Sequence, residues 1–158
     1  MRNVLSLVIA LAVGVSPAAA QARPDFSGKW SLDPKSAPPG MPQGSMMVVT
    51  LKQDEKTLNV DLHASSPLGE ARRTSVLSFD GAPAKTTVTA SGQEMALTST
   101  ATWEGSILAV MTSGDIAGYA MVQTDRWSLD PDGKTLQLET TVSAAGQKQT
   151  SKLTFIKQ

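Results

Sequence analysis

The stretch YAMVQTDRWSLDPDGKTLQLE, Tyr119 to Glu139, decides the fold. Its first half alternates, with Tyr119, Met121, Gln123, Asp125, Trp127 and Leu129 on one side of an extended chain and Ala120, Val122, Thr124, Arg126 and Ser128 on the other. Successive side chains of a strand point to opposite faces, so a period of two reads as a half-buried β-strand. Asp130-Pro131-Asp132-Gly133 then ends the ladder. Proline lacks the N–H that a sheet needs, and Asp-Gly tolerates the positive φ of a tight turn. Alternation resumes at Thr135, with Leu136 and Leu138 sharing a face. The stretch is a β-hairpin.

The rest of the chain uses the same grammar. WSLDP also occurs at Trp30 to Pro34, and Lys134-Thr135-Leu136-Gln137-Leu138-Glu139 has a near copy in Lys56-Thr57-Leu58-Asn59-Val60-Asp61. The WSLDP copies lie 97 residues apart and the Lys-Thr-Leu copies 78 apart, so they do not form one duplicated unit. What repeats is the way a strand ends: an inward Trp and Leu, an outward Ser, then Asp-Pro. No segment sustains the i, i+3, i+4, i+7 spacing of a helix. Strands are expected near 27–32, 46–53, 57–64, 70–79, 85–91, 94–103, 106–112, 119–129, 135–143 and 147–157.

Tight turns are expected at Gln53-Asp54-Glu55-Lys56, Asp80-Gly81, Glu104-Gly105 and Asp130 to Gly133, about every 24 to 28 residues. Between them lie looser stretches rich in Gly, Ser, Ala and Pro, at 33–45, 65–69, 91–93, 113–118 and 144–146. If each strand reverses direction, the tight turns collect at one end and the loose connections at the other. That pattern predicts an all-β, antiparallel up-and-down meander barrel of about 8–10 strands, with a closed base and a loop-rimmed mouth. A β-sandwich is the structural rival.

Parity predicts the interior. Trp30, Leu32, Met47, Val49, Leu51, Leu58, Val60 and Leu62 begin it, followed by Leu77, Phe79, Met95, Leu97 and Trp103. Tyr119, Met121, Trp127, Leu129, Leu136, Leu138, Val142, Leu153 and Phe155 complete it. The opposite faces are mostly Thr, Ser, Lys, Asn, Gln and Glu, as on a solvated exterior. Residues 107–111 are apolar on both faces, so their orientation stays open, with the long 33–45 connection as a candidate cover.

Residues 1–22 read as a cleaved secretory signal: a weakly basic start, an apolar run from Val4 to Val15, then an A-x-A site at Ala18 to Ala20, with Ala20 to Ala22 as the alternative. The run is too short for a bilayer, which takes roughly 20 residues, and nothing later is apolar enough to span. Residues 23–158 are then expected to form one domain, periplasmic or extracellular. The chain of 158 residues has no cysteine, which excludes disulfides, thiol catalysis and thiolate metal sites. Its 14 basic and 14 acidic residues are scattered, with Arg72-Arg73 the one adjacent basic pair, so no nucleic-acid partner is indicated.

Little in the chain looks like chemistry. The single histidine, His63, shares parity with Thr57, Asn59 and Asp61 and should face solvent. No H-x-H or H-E-x-x-H spacing is present, so no metal site is expected. There is no Gly-rich phosphate loop and no G-x-S-x-G, so no catalytic residue and no cofactor is assigned. Asp125 and Arg73 are the exceptions, because parity puts both charges on the inner face, where each would need a partner or water. With Gln123 they are a candidate polar cluster that orients one end of a ligand; a slipped or bulged strand, turning them outward, is the alternative. The Pro-rich segment 36–45 reads as a linker or as a lid over the mouth.

Asp25-Phe26-Ser27-Gly28-Lys29-Trp30 resembles the first strand of lipocalin-type barrels, where a G-x-W element crosses the base and a late basic residue covers the Trp. The resemblance implies that Gly28 and Trp30 form the barrel base here, with Arg126, Lys152 or Lys157 as the covering cation. The run from Phe26 to Ser36, and the segment from Trp127 to Leu136, are similar to small secreted bacterial lipocalin-like proteins. Unlike the main lipocalin pattern, this sequence has no cysteines and no helix after the last strand, and its Thr124-Asp125 pair lies within a strand.

Three readings of function follow. In the first, an exported barrel binds a small hydrophobic molecule in a cavity lined by Arg73, Trp103, Tyr119, Met121, Gln123 and Asp125. In the second, a packed, ligand-free barrel contacts a protein partner of unspecified kind through its exterior or loops. An enzyme of unrecognised mechanism is the third. Cavity volume separates the first two.

Overall fold

A computed structural model describes residues 23–116 and 118–158; the expected signal segment lies outside them. Ten strands form one closed barrel in which every neighbour pair is antiparallel. In chain order they are β1 (Gly28–Leu32), β2 (Met46–Gln53), β3 (Thr57–Ser66), β4 (Gly69–Ser78) and β5 (Ala84–Ala90), then β6 (Gln93–Glu104), β7 (Ile107–Ile116), β8 (Tyr119–Leu129), β9 (Thr135–Ala144) and β10 (Gln147–Lys157). Each strand pairs with its sequence neighbours, and β1 closes the ring on β10 through Trp30 opposite Lys157 and Leu32 opposite Phe155. The up-and-down meander is the observed fold.

The two ends differ from the sequence expectation in one respect. Three of the stretches read as loose are hairpins with only two residues between strands, because β3, β4, β6 and β9 run further than their composition suggested, and β7 likewise extends to Ile116. Ser91 and Gly92 have φ of 50° and 79°, and Ala145 and Gly146 have 49° and 76°. Positive φ at both central positions matches the right-handed twist of the flanking strands. Among the described residues only 33–45 make a long connection at this end. At the other end three of the turns are capped by the carboxylates of Asp54, Asp80 and Asp132. Asp54 Oδ1 accepts from the backbone N–H of Lys56 at 2.8 Å and of Thr57 at 2.7 Å, and Asp132 Oδ1 accepts from Lys134 at 2.8 Å.

The core fills this carboxylate-capped base. Phe26, Trp30, Leu51, Leu58, Leu77, Leu108, Leu136 and Phe155 are fully buried there. Each such side chain contributes about 1.5–3 kcal/mol by leaving water. The Trp30 indole N–H donates to the Phe26 carbonyl at 2.9 Å, and the Lys157 ammonium lies 5.1 Å from the indole centroid. Lys157 is thus the covering cation, whereas Arg126 pairs with Glu104 and Lys152 with Glu139 on the outside. Gly28 makes the close approach possible: its φ is 146°, and a Cβ there would lie 2.9 Å from Lys157 Cε.

Strand β7, left open by sequence, turns Leu108 and Val110 inward and Met111 outward. The 33–45 segment does not cover Met111. It is tied to β10 instead, where the Ser36 hydroxyl bonds the Thr154 carbonyl at 3.2 Å and the Thr154 N–H at 2.8 Å. His63 faces outward, its imidazole 3.8 Å from Glu70. Among the described residues no helix is long and apolar enough to cross a membrane.

Candidate ligand-binding cavity

The base core does not extend to the mouth. Halfway up the barrel the inward positions become polar, and a cavity of about 170 Å³ opens beside them. Its apolar wall comes from β2, β3, β4, β7, β8, β9 and β10 and includes Met47, Val60, Leu62, Leu77, Val110, Trp127, Leu138 and Leu153. Its polar wall is Arg73, Ser75, Gln123, Asp125, Thr140 and Ser151.

Both strands that carry the central charges keep their period, so neither side chain is turned out. Arg73 lies on β4 two residues before the buried Ser75, and Asp125 lies on β8 two residues before the buried Trp127. Only 1% of the Asp125 side chain is exposed, against 17% for Arg73. Isolated burial of either charge would be prohibitive, and the pair resolves this mutually. Arg73 Nη1 donates to Asp125 Oδ2 at 3.2 Å. The carboxylate also accepts from Gln123 Nε2, at 2.8 Å on Oδ1 and 2.9 Å on Oδ2, and from the Thr140 hydroxyl at 2.8 Å.

The guanidinium is held from the other side as well. Arg73 Nη2 donates to Thr112 Oγ1 at 2.8 Å. That hydroxyl lies 2.7 Å from Ser99 Oγ, which lies 2.6 Å from Thr86 Oγ1. Thr86, Ser99 and Thr112 are fully buried. The network therefore runs through β5, β6, β7, β4, β8 and β9, and it fixes a long side chain that would otherwise have many rotamers.

Of the residues expected at the site, Arg73, Gln123 and Asp125 are brought together at the cavity wall. Met121 lies on the same face of β8, one inward position nearer the mouth, and is half-buried. Tyr119 is the first residue of β8 and stands 63% exposed at the rim. Trp103 points inward at the opposite end, beside the β6–β7 turn. There it stacks on Phe26 at 5.7 Å and 7°, touches Phe79, and carries the Arg23 guanidinium 5.6 Å from its ring. The base has claimed it.

Thr86, Ser99, Thr112, Thr140, Ser75 and Trp127 were not expected at the site. Their signal was present, since each shares parity with neighbouring core residues: Ser99 with Leu97, Thr112 with Val110, Thr140 with Leu138. A hydroxyl at an inward position is the mark of an internal network. Four wider concavities occur elsewhere among the described residues, one of them about 400 Å³ on the outer face of β7 to β10. Two others are grooves on the outer surface of β2 to β5, one of them passing His63 and Asp61. The last, about 720 Å³, lies between the 33–45 segment and the mouth edge of β1 and β2, and Met47 lines both it and the interior cavity.

Comparison with known proteins adds no relative. No protein-family model matches the chain, and neither a curated protein nor a solved structure is similar to it at a significant level. Among the described residues no group of His, Cys, Asp and Glu is placed to hold a metal ion.

Proposed function

We propose that this barrel binds a small, mainly apolar molecule in the cavity beside Arg73 and Asp125. The observation that carries the reading is an apolar chamber with one organised polar wall, the usual composition of a small-molecule site. Its size sets the scale. Drug-sized ligands occupy roughly 300–1,000 Å³, and a dry cavity of about 150 Å³ in another protein takes benzene. A chamber of about 170 Å³ therefore suits a compact molecule rather than a long acyl chain. Met47, shared by the chamber and the outer cleft, is the side chain a ligand would displace on its way in.

The same proposal treats the protein as exported, with residues 1–22 removed and residues 23–158 acting as one domain. It also groups the chain with the small secreted bacterial lipocalin-like proteins. The signal-like N-terminus and the G-x-W base with its Lys157 cover support that grouping. Secretion is tested by N-terminal sequencing of the protein from its producing cells: a start near residue 21 or 23 is expected, and an intact Met1 contradicts export.

A second reading, an interaction module, is favoured by one observation. Met46, Leu68 and Tyr119 are 66%, 82% and 63% exposed, and all three lie at the mouth end. Titration of compact apolar molecules into the wild type and into the Arg73→Met/Asp125→Leu double variant separates the readings. Cavity binding requires saturable affinity in the wild type, altered in the variant. Identical or absent responses favour the interaction module.

A further inference from the structure

The cavity's polar groups do not balance. The Asp125 carboxylate is saturated by Arg73, Gln123 and Thr140, so the chamber offers no free anionic acceptor. Three buried atoms of residues that line the chamber find no partner among the described residues: Arg73 Nε, Ser75 Oγ and Trp127 Nε1. Ser75 is 7% exposed and Trp127 4%. Two of these are N–H groups that can only donate, and the third is a hydroxyl that can donate. Buried donors are almost always satisfied, so three orphans around one chamber need an explanation.

Charge narrows the chemistry further. Arg73 already has its counter-ion in Asp125, so the chamber is neutral overall although one guanidinium lines it. An incoming anion would bring a charge with no remaining cation to offset its desolvation. A neutral acceptor would meet the free donors at no such cost.

We infer that the chamber selects a compact, uncharged molecule carrying a carbonyl-type hydrogen-bond acceptor, held by Ser75, Trp127 and Arg73 Nε, over hydrocarbons and carboxylates of equal size. This rests on the cavity-binding reading and adds the ligand's chemical class. It also assigns Ser75 and Trp127 as specificity determinants. Gln123, Thr140 and the Thr86–Ser99–Thr112 hydroxyls act indirectly, by holding Arg73 and Asp125.

Three probes of similar size test it on the full chain without its first 22 residues: cyclohexanone, methylcyclohexane and cyclohexanecarboxylate at pH 7. The readout is the affinity of each, together with the three indole N–H resonances of Trp30, Trp103 and Trp127 in a nitrogen-correlated NMR spectrum. Cyclohexanone should bind about tenfold tighter than methylcyclohexane, as expected for about 1.4 kcal/mol of hydrogen bonding. It should move the Trp127 resonance and leave that of Trp30, already bonded to Phe26, in place. Ser75→Ala and Trp127→Phe should each reduce the preference for ketone over hydrocarbon by about three- to tenfold. Ser75→Ala removes a hydroxyl that has no partner, so it should fold as well as the wild type. Equal affinity for ketone and hydrocarbon, or a preference for the carboxylate, overturns the acceptor inference while cavity binding stands. Binding of none of the three overturns both.

Discussion

Asp125 is the residue on which the interior depends. It is fully buried and its carboxylate takes donors from Arg73, Gln123 and Thr140. Removing one partner of a buried pair leaves the other charge uncompensated, at a cost of about 3–5 kcal/mol, whereas replacing both with apolar groups is often close to neutral. Asp125→Ala should therefore lower the urea-unfolding stability by that amount, and Arg73→Met/Asp125→Leu should recover most of it. A double variant no better than the single one would show that the pair is not the main determinant. Two surface carboxylates make stability depend on pH. The Lys56 and Thr57 N–H groups hold the Asp54 carboxyl below its ordinary 3.8, and the Arg72 guanidinium does the same for Asp61. Because the folded values are depressed, their stabilisation is complete above the unfolded value and is lost as pH falls through the folded one. Carboxyl NMR titrations of Asp54 and Asp61 should show midpoints below 3.8, with stability declining only on the acid side; midpoints at or above that value contradict the turn and ion-pair geometry.

The strands were legible in the sequence, and the hairpins at the mouth were less so. Alternation places Trp127, Leu136 and Leu153 inward because burial enforces a strict period of two. Turn length is a finer matter. Ser91-Gly92 and Ala145-Gly146 look like loose, small-residue loops, yet positive φ at both positions makes them two-residue reversals. Replacing Gly146 with valine should cost about 1–2 kcal/mol, the usual penalty for a side chain in left-handed backbone, and thermal melts will measure it. No loss would mean the turn relaxes to another type. The hydroxyls behind Arg73 escaped notice for a related reason. Thr and Ser suit either face of a strand, so Thr86, Ser99 and Thr112 draw no assignment from the sequence until the register aligns them behind Arg73. Trp103 was expected at the ligand because parity gives the side of the sheet but not the height in the barrel. Its height puts it in the base with Phe26.

At the scale of the molecule, the division between base and mouth explains the rest. Trp30, Phe155 and Leu136 fill one half, so the base is closed by packing in a chain without cysteine. Closure depends on β1 meeting β10, which places Gly28 and Lys157 at the seam. Gly28→Val should break both the positive-φ backbone and the contact with Lys157, and far-ultraviolet circular dichroism should report a lower melting temperature. An unchanged melt would show that the seam tolerates a side chain. In the upper half an apolar wall and a bonded polar wall face one chamber, where binding is proposed. Native mass spectrometry of protein purified gently from its producing cells tests that claim most directly. A fraction of molecules should carry one small, compact adduct, lost on collisional activation and absent from Arg73→Met/Asp125→Leu. The bare chain mass alone, under every mild condition and with added ketone probe, would contradict it.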